Sequence, residues 1–206
     1  MGRPRKIDAQ DTKARLLDAA LELFSTQGFF GTSMRQIARR VGVRESALYH
    51  YFPSKNAILE HLLASLGPGR VALIDAIDVQ AMVKALGVYE LLESMVRMMI
   101  AAWASPEERM IAKIVLTEGA RLANEGGPAP QQLFQQSRSR VAKVFQTLID
   151  DGYLIRAEAD SVALAFLGPL MALRITHLVV AADPPDVEGL FREAERHLKH
   201  FWKTHK

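Results

Sequence analysis

A chain of 206 residues, 49% apolar and 24% charged, is long enough for a sizeable core in one large domain or two modest ones. The absence of cysteine excludes disulfides, thiolate metal sites and thiol nucleophiles, and fits a reducing cytoplasm. The net charge of +3 is unevenly spread. Residues 1–55 hold ten Lys/Arg against five Asp/Glu and the remainder sixteen against eighteen, so the basic excess that phosphate binding needs sits at one end.

Gly2-Arg3-Pro4-Arg5-Lys6 opens the chain as a basic arm without an apolar run, which predicts no secretory signal. Two readings of the arm stand: Arg3 and Arg5 reaching into a minor groove, or a solvated tail. Asp8 or Asp11 is the expected cap of a first helix, with Leu17, Ala20, Leu21 and Phe24 as its apolar stripe and Gly28 as its stop. Next, Met34, Ile37, Ala38 and Val41 recur at the spacing of one buried helical face and leave Arg35 and Arg39 opposite. Gly42 supplies the reversal. Over 45–52 a second short helix puts Leu48 and Phe52 inside and Ser46, Tyr49 and His50 outside, with Arg44 and Lys55 flanking, which is the form of a recognition helix in a helix-turn-helix.

Ser54 caps a fourth helix carrying Ile58, Leu59, Leu62, Leu63 and Leu66, and Gly67-Pro68-Gly69 breaks it. The rest reads as helices only, over 84–104, from the Ser105-Pro106-Glu107-Glu108 start signal to Gly126-Gly127-Pro128, and over 131–151, 160–182 and 186–203. The 160–182 segment is apolar enough to raise a membrane span. Gly168-Pro169, Arg174 and His177 argue instead for a helix buried in protein. The expectation is an all-α chain: a helix-turn-helix DNA-binding domain over 1–66, with 1–7 as the arm, and a second helical domain over 67–206, which the resemblance described next makes the effector-binding and dimerisation domain.

Thr32, Ser33, Arg35, Ile37, Ala38, Gly42, Val43, Leu48, Tyr49, Tyr51, Phe52, Ser54 and Lys55, in this order and spacing, resemble the signature of TetR-family transcriptional regulators. The resemblance covers about a quarter of the chain. It implies a cytoplasmic homodimer paired through its last two helices, whose recognition helices enter successive major-groove faces of an inverted repeat about 34–36 Å apart. Ser33, Tyr49, His50 and Lys55 would then hold phosphates, Arg35 would reach phosphate or a guanine edge, and Arg44, Glu45 and Ser46 would read bases. Arg44 stands where the family usually has Ser or Thr, so the helix start loses a cap oxygen worth about 1 kcal/mol. For Glu45 two readings stay open: accepting a hydrogen bond from cytosine N4, or pairing with Arg44 or Arg35.

Family members usually bind a small effector between the later helices. Here Met95, Met99, Trp103, Met110, Phe134, Met171 and His177 are the candidate lining for an apolar or amphipathic ligand, and plain core is the competing reading. Glu90, Glu93, Arg97, Glu118, Arg121 and Arg174 are candidate polar anchors. The implied function is repression released by effector; an effector-independent activator or DNA-organising protein of the same fold is the alternative. Catalysis has no motif to rest on, no cofactor is implied, and Glu193, His197 and His200 fit a solvated terminal helix better than a metal site.

Overall fold

A computed structural model describes residues 6–65, 74–75, 77–127, 130–181 and 184–206, and among these every regular element is helical. Contacts divide the chain into two compact units, Met1–Leu66 with Met110–Pro130, and Gly67–Arg109 with Gln131–Lys206. Residues 110–130 belong by sequence order to the later half, yet by their contacts they join the first unit.

In the first unit, α1 (Lys6–Gln27) begins ahead of the expected caps, so Asp8 and Asp11 lie inside it. Its buried line is Leu16, Ala20, Leu21 and Phe24, with Leu17 half-buried at the edge. Gly28 ends it in the left-handed region, φ +81°, its N–H donating to the Phe24 carbonyl at 3.1 Å. α2 (Met34–Val41) buries Met34, Ile37, Ala38 and Val41 as the spacing predicts. α1 packs against both α2 and α4 (Lys55–Ser65), and α2 against α3 (Glu45–Tyr49). Ser54 caps α4 through the Ala57 N–H at 3.1 Å. α7 (Pro106–Asn124) gives this unit the buried Ile111, Ile114 and Leu122.

In the second unit, the single helix expected over 84–104 is two, α5 (Val79–Leu86) and α6 (Val88–Trp103). Gly87 separates them at φ +100°, where a residue with a Cβ is strained. Asp78 caps α5, accepting from the Ala81 N–H at 2.9 Å. α8 (Pro130–Asp150) ends at Gly152, φ +77°, close to its predicted stop. α9 (Ala159–Arg174) contains Pro169 and passes into a π-helical turn, Ile175–Val179, so the expected 160–182 helix is not uniform. α10 (Val187–His205) packs on α9 and α6. Phe145, Phe166 and Phe201 join the core where α8, α9 and α10 meet, their ring centroids 5.2–5.6 Å apart in tilted or edge-on pairs.

The Ala159–Val179 stretch, mean hydropathy 1.8, is long and apolar enough to cross a membrane by length and composition. It also carries Arg174, which is buried and whose Nη2 lies 3.2 Å from Oε2 of the buried Glu108 and 3.4 Å from the Glu108 carbonyl. Its guanidinium lies 5.2 Å from the Trp103 ring centroid. Burial pushes its pKa down and the Glu108 carboxylate opposes that shift. A charge satisfied within its own unit in this way fits a protein core, not lipid.

His197 of α10 lies with Nε2 2.9 Å from the Phe166 carbonyl. Burial lowers its pKa, the Phe166 carbonyl opposes the shift, and His200 and His205 add to it. The folded state therefore binds fewer protons than the unfolded chain below about pH 6.5, so stability is lost as pH falls through that value. His61, lowered by burial and Lys13, adds a slope of the same sign. The expected result is a denaturation midpoint that drops less steeply between pH 7 and 5.5 in His197→Gln than in the parent protein. Parallel curves would show that His197 carries none of the slope.

Candidate nucleic-acid interface

The candidate interface is built from α2, against which α1 packs, and from α3, which packs on α2. Ser33 is the N-cap of α2, extended at φ −114° and ψ 155°. Its Oγ accepts from the Gln36 N–H at 3.2 Å and donates to Gln36 Oε1 at 2.8 Å, while its own N–H donates to the same oxygen at 2.7 Å. This is a complete capping box, and the S-x-x-Q spacing that encodes it is legible in the sequence. The hydroxyl assigned to phosphate is thus already committed to holding the helix end.

Gly42, φ +78°, makes the reversal, with the Val43 N–H donating to the Ala38 carbonyl at 3.0 Å. From α1, Arg15 donates through Nη2 to the Val41 carbonyl at 3.0 Å and so satisfies the last turn of α2. Arg44 follows as the N-cap of α3, extended and making no side-chain cap bond, as its place in the sequence predicts. α3 is five residues long, shorter than the expected 45–52, although the Tyr51 and Phe52 N–H groups still donate to the Leu48 carbonyl at 2.9 and 3.0 Å. Leu48 is the one buried residue of α3, and it turns Glu45, Ser46 and Tyr49 outward; His50, just past the helix end, is exposed as well.

Arg35, Arg39, Arg44, Glu45, Ser46, Tyr49 and His50 are all exposed on these two helices and the residues beside them. Arg35, Arg39 and Arg44 make no ion pair among the described residues, whereas Arg40 is paired with Glu22. Glu45 likewise has no ion pair, so the internal pairing with Arg44 or Arg35 is not formed. Arg39 is the residue that the candidate set lacks. Its position one turn beyond Arg35 on the outer face of α2 was the available signal.

Lys55 is used differently from a free phosphate ligand. Its Nζ donates to the Phe29 and Thr32 carbonyls at 2.6 and 2.7 Å and lies 4.3 Å from the Phe29 ring centroid, fastening the start of α4 to the α1–α2 turn. Burial lowers its pKa, partly offset by Glu118. Arg3 and Arg5 lie outside the described residues.

The effector candidates do not form one group. Met95 and Trp103 are buried in the second unit's core, and Met99 and Met171 pack against that core half-buried. Phe134 is exposed, and Met110 belongs to the first unit. His177 is half-buried, its Nδ1 3.3 Å from Asp186 and its Nε2 3.5 Å from Glu193. Of the polar candidates, Arg97 pairs with Glu93, Arg121 with Glu125 and Arg174 with Glu108. Glu118 accepts from the Phe29 and Phe30 N–H groups. A groove of about 330 Å³ between α9 and α10, lined by Pro169, Ala172, Leu173, Glu193, Arg196 and His197, shares no residue with the candidate lining. Among the described residues there is no cluster of three metal-ligating side chains.

Residues 16–62 match the family model for bacterial regulatory proteins of the tetR family. The chain is 30% identical over 148 residues to the HTH-type transcriptional regulator SrpR of Pseudomonas putida, which covers 72% of this chain and 64% of that protein. It is 31% identical over 137 residues to TtgW, an uncharacterized HTH-type transcriptional regulator also of Pseudomonas putida, across 66% of this chain and 94% of that one. A crystal structure described as a TetR-family transcriptional regulator from Mesorhizobium loti superposes with a TM-score of 0.75 at 20% identity, covering 96% of this chain and 98% of that one. This last likeness is one of fold.

Proposed function

The chain is a member of the TetR family of bacterial transcriptional regulators, a DNA-binding helix-turn-helix protein and not an enzyme, and on that premise we propose that it is a cytoplasmic repressor binding an inverted-repeat operator as a homodimer. The observation that carries the reading is the outer face of α2 and α3, where Arg35, Arg39 and Arg44 stand exposed, with no ion pair among the described residues, beside Ser46, Tyr49 and His50. Exposed arginines on a short helix braced from behind suit phosphate and base-edge contacts. Lys55 and Ser33 act through position, holding the helix ends that present these groups.

For the dimer, the supporting feature is the exposed side of α9 and the π-helical turn that follows it. Ser161, Leu164, Ala165, Pro169 and Ala172 of α9, with Ile175 and Thr176 of the turn, form a stripe of small and apolar residues, and the α9–α10 groove runs beside it. Effector release would then be a population shift. A ligand entering at the Met99 and Met171 edge of the second unit's core would favour a state in which α4 moves and the two reading heads no longer match the operator spacing.

Selection of binding sites from random duplex DNA at near-physiological salt tests the reading. Recovery of an inverted repeat with one-turn spacing supports it; recovery of AT-rich DNA without symmetry would favour the DNA-organising alternative. The same selection decides what Glu45 does. With no ion pair among the described residues, its carboxylate is placed to accept from cytosine N4, so Glu45→Gln is expected to relax a cytosine preference worth about 1–3 kcal/mol in the recovered sites. An identical preference in both proteins would sink that assignment.

A further inference from the structure

Glu118 lies on α7, well outside the segment that matches the DNA-binding family, yet its carboxylate is spent on the DNA-binding unit. Oε1 accepts from the Phe29 N–H at 2.8 Å and Oε2 from the Phe30 N–H at 3.3 Å. Both donors sit in the turn that joins α1 to α2. The turn is shaped around this carboxylate: Gly28 has φ +81°, and a Cβ placed there would collide with Glu118 Oε1. One turn further along α7, the Arg121 guanidinium lies 3.8 Å from the Phe30 ring centroid. From the other side, Lys55 holds the carbonyls of Phe29 and Thr32. The turn is therefore gripped through its N–H groups by α7 and through its carbonyl groups by α4, and it delivers the chain directly to Ser33, the cap of α2.

We infer that Glu118 is a positioning residue for DNA binding, a clamp that fixes where α2 begins and so where Arg35, Arg39 and the residues of α3 are presented. The Phe29 and Phe30 N–H groups of the 28–33 turn take the Glu118 carboxylate as their acceptor, and no group of residues 16–62 accepts from either. The DNA-reading unit is complete only with the 110–130 segment. Nothing in this depends on the operator's symmetry or on an effector.

The test uses the full chain and the single duplex that the parent protein enriches most in site selection, whatever its symmetry. Glu118→Ala is compared with Ile114→Val, a conservative trim of a buried residue on the same helix that lowers stability while leaving the Glu118 carboxylate and its two acceptor oxygens in place. The expected result is at least a tenfold weaker Kd for Glu118→Ala, with an unchanged slope of log K against log salt because no phosphate contact is removed. Ile114→Val should bind like the parent even where its melting temperature falls as far. Glu118→Gln, which keeps one acceptor oxygen, should lie between. Faster amide exchange at Phe29 and Phe30 in Glu118→Ala, at a temperature where the rest of unit 1 stays protected, should accompany the loss. Equal binding by Glu118→Ala and the parent would overturn the inference. So would equal weakening by Ile114→Val, which would reduce Glu118 to a stability residue.

Discussion

Leu48→Ala is expected to lower stability by about 2–5 kcal/mol and to remove sequence-specific DNA binding from a protein that still folds. Leu48 is fully buried, and α3 has no other buried residue with which to hold itself against α2. A helix of five residues has almost no stability of its own, because the nucleation penalty is not recovered over one turn. The removed side chain therefore takes away both a transfer term and the one buried anchor that α3 itself supplies for aiming Ser46, Tyr49 and His50. Denaturant unfolding gives the first quantity and titration of the selected duplex the second. A destabilised protein that binds the duplex with parent affinity would show that α3 is held by something other than Leu48. Loss of the second unit's fold as well would mean that the two units unfold as one.

Arg174→Ala should be comparably severe, about 3–5 kcal/mol, although the residue lies in the other unit. Both members of the Arg174–Glu108 pair are buried, so removing the guanidinium takes an ion-pair partner from a carboxylate in the interior and strips the cation from above Trp103. Replacing both partners, Arg174→Met with Glu108→Leu, deletes the desolvation penalty together with the attraction. That double variant is expected to recover most of the loss. Urea midpoints of the two single variants and the double one form the cycle. If the double variant is as unstable as Arg174→Ala, the loss comes from packing around Trp103 and not from the broken ion pair.

Both effects show how unequally the chain discloses itself. The capping box of α2, the buried stripe Met34, Ile37, Ala38 and Val41, and the left-handed Gly42 are local, and each is written within a few residues of where it acts. So are the missing cap at Arg44, the Ser105-Pro106 start of α7 and the stop after α8. Gly87 was equally local and divides what periodicity alone runs together as one helix, because a φ of +100° interrupts the ladder without altering the apolar spacing.

The role of Lys55 could not be read this way. A lysine beside a helix start suggests a phosphate ligand, and only the approach of Phe29 and Thr32 across the fold turns it into a staple. Phe134 and Met95 have the same composition logic behind them as pocket residues, yet one is exposed and the other sealed in the core. Local periodicity and turn chemistry thus determined the helical architecture, the helix-turn-helix and its outward basic face, because those depend on interactions spanning four residues or fewer. Tertiary structure alone decided which polar groups face each other across 66 residues, as Glu108 and Arg174 do, or across 89, as Phe29 and Glu118 do. A charged side chain carries no mark in the sequence of the distant donor that will desolvate and satisfy it.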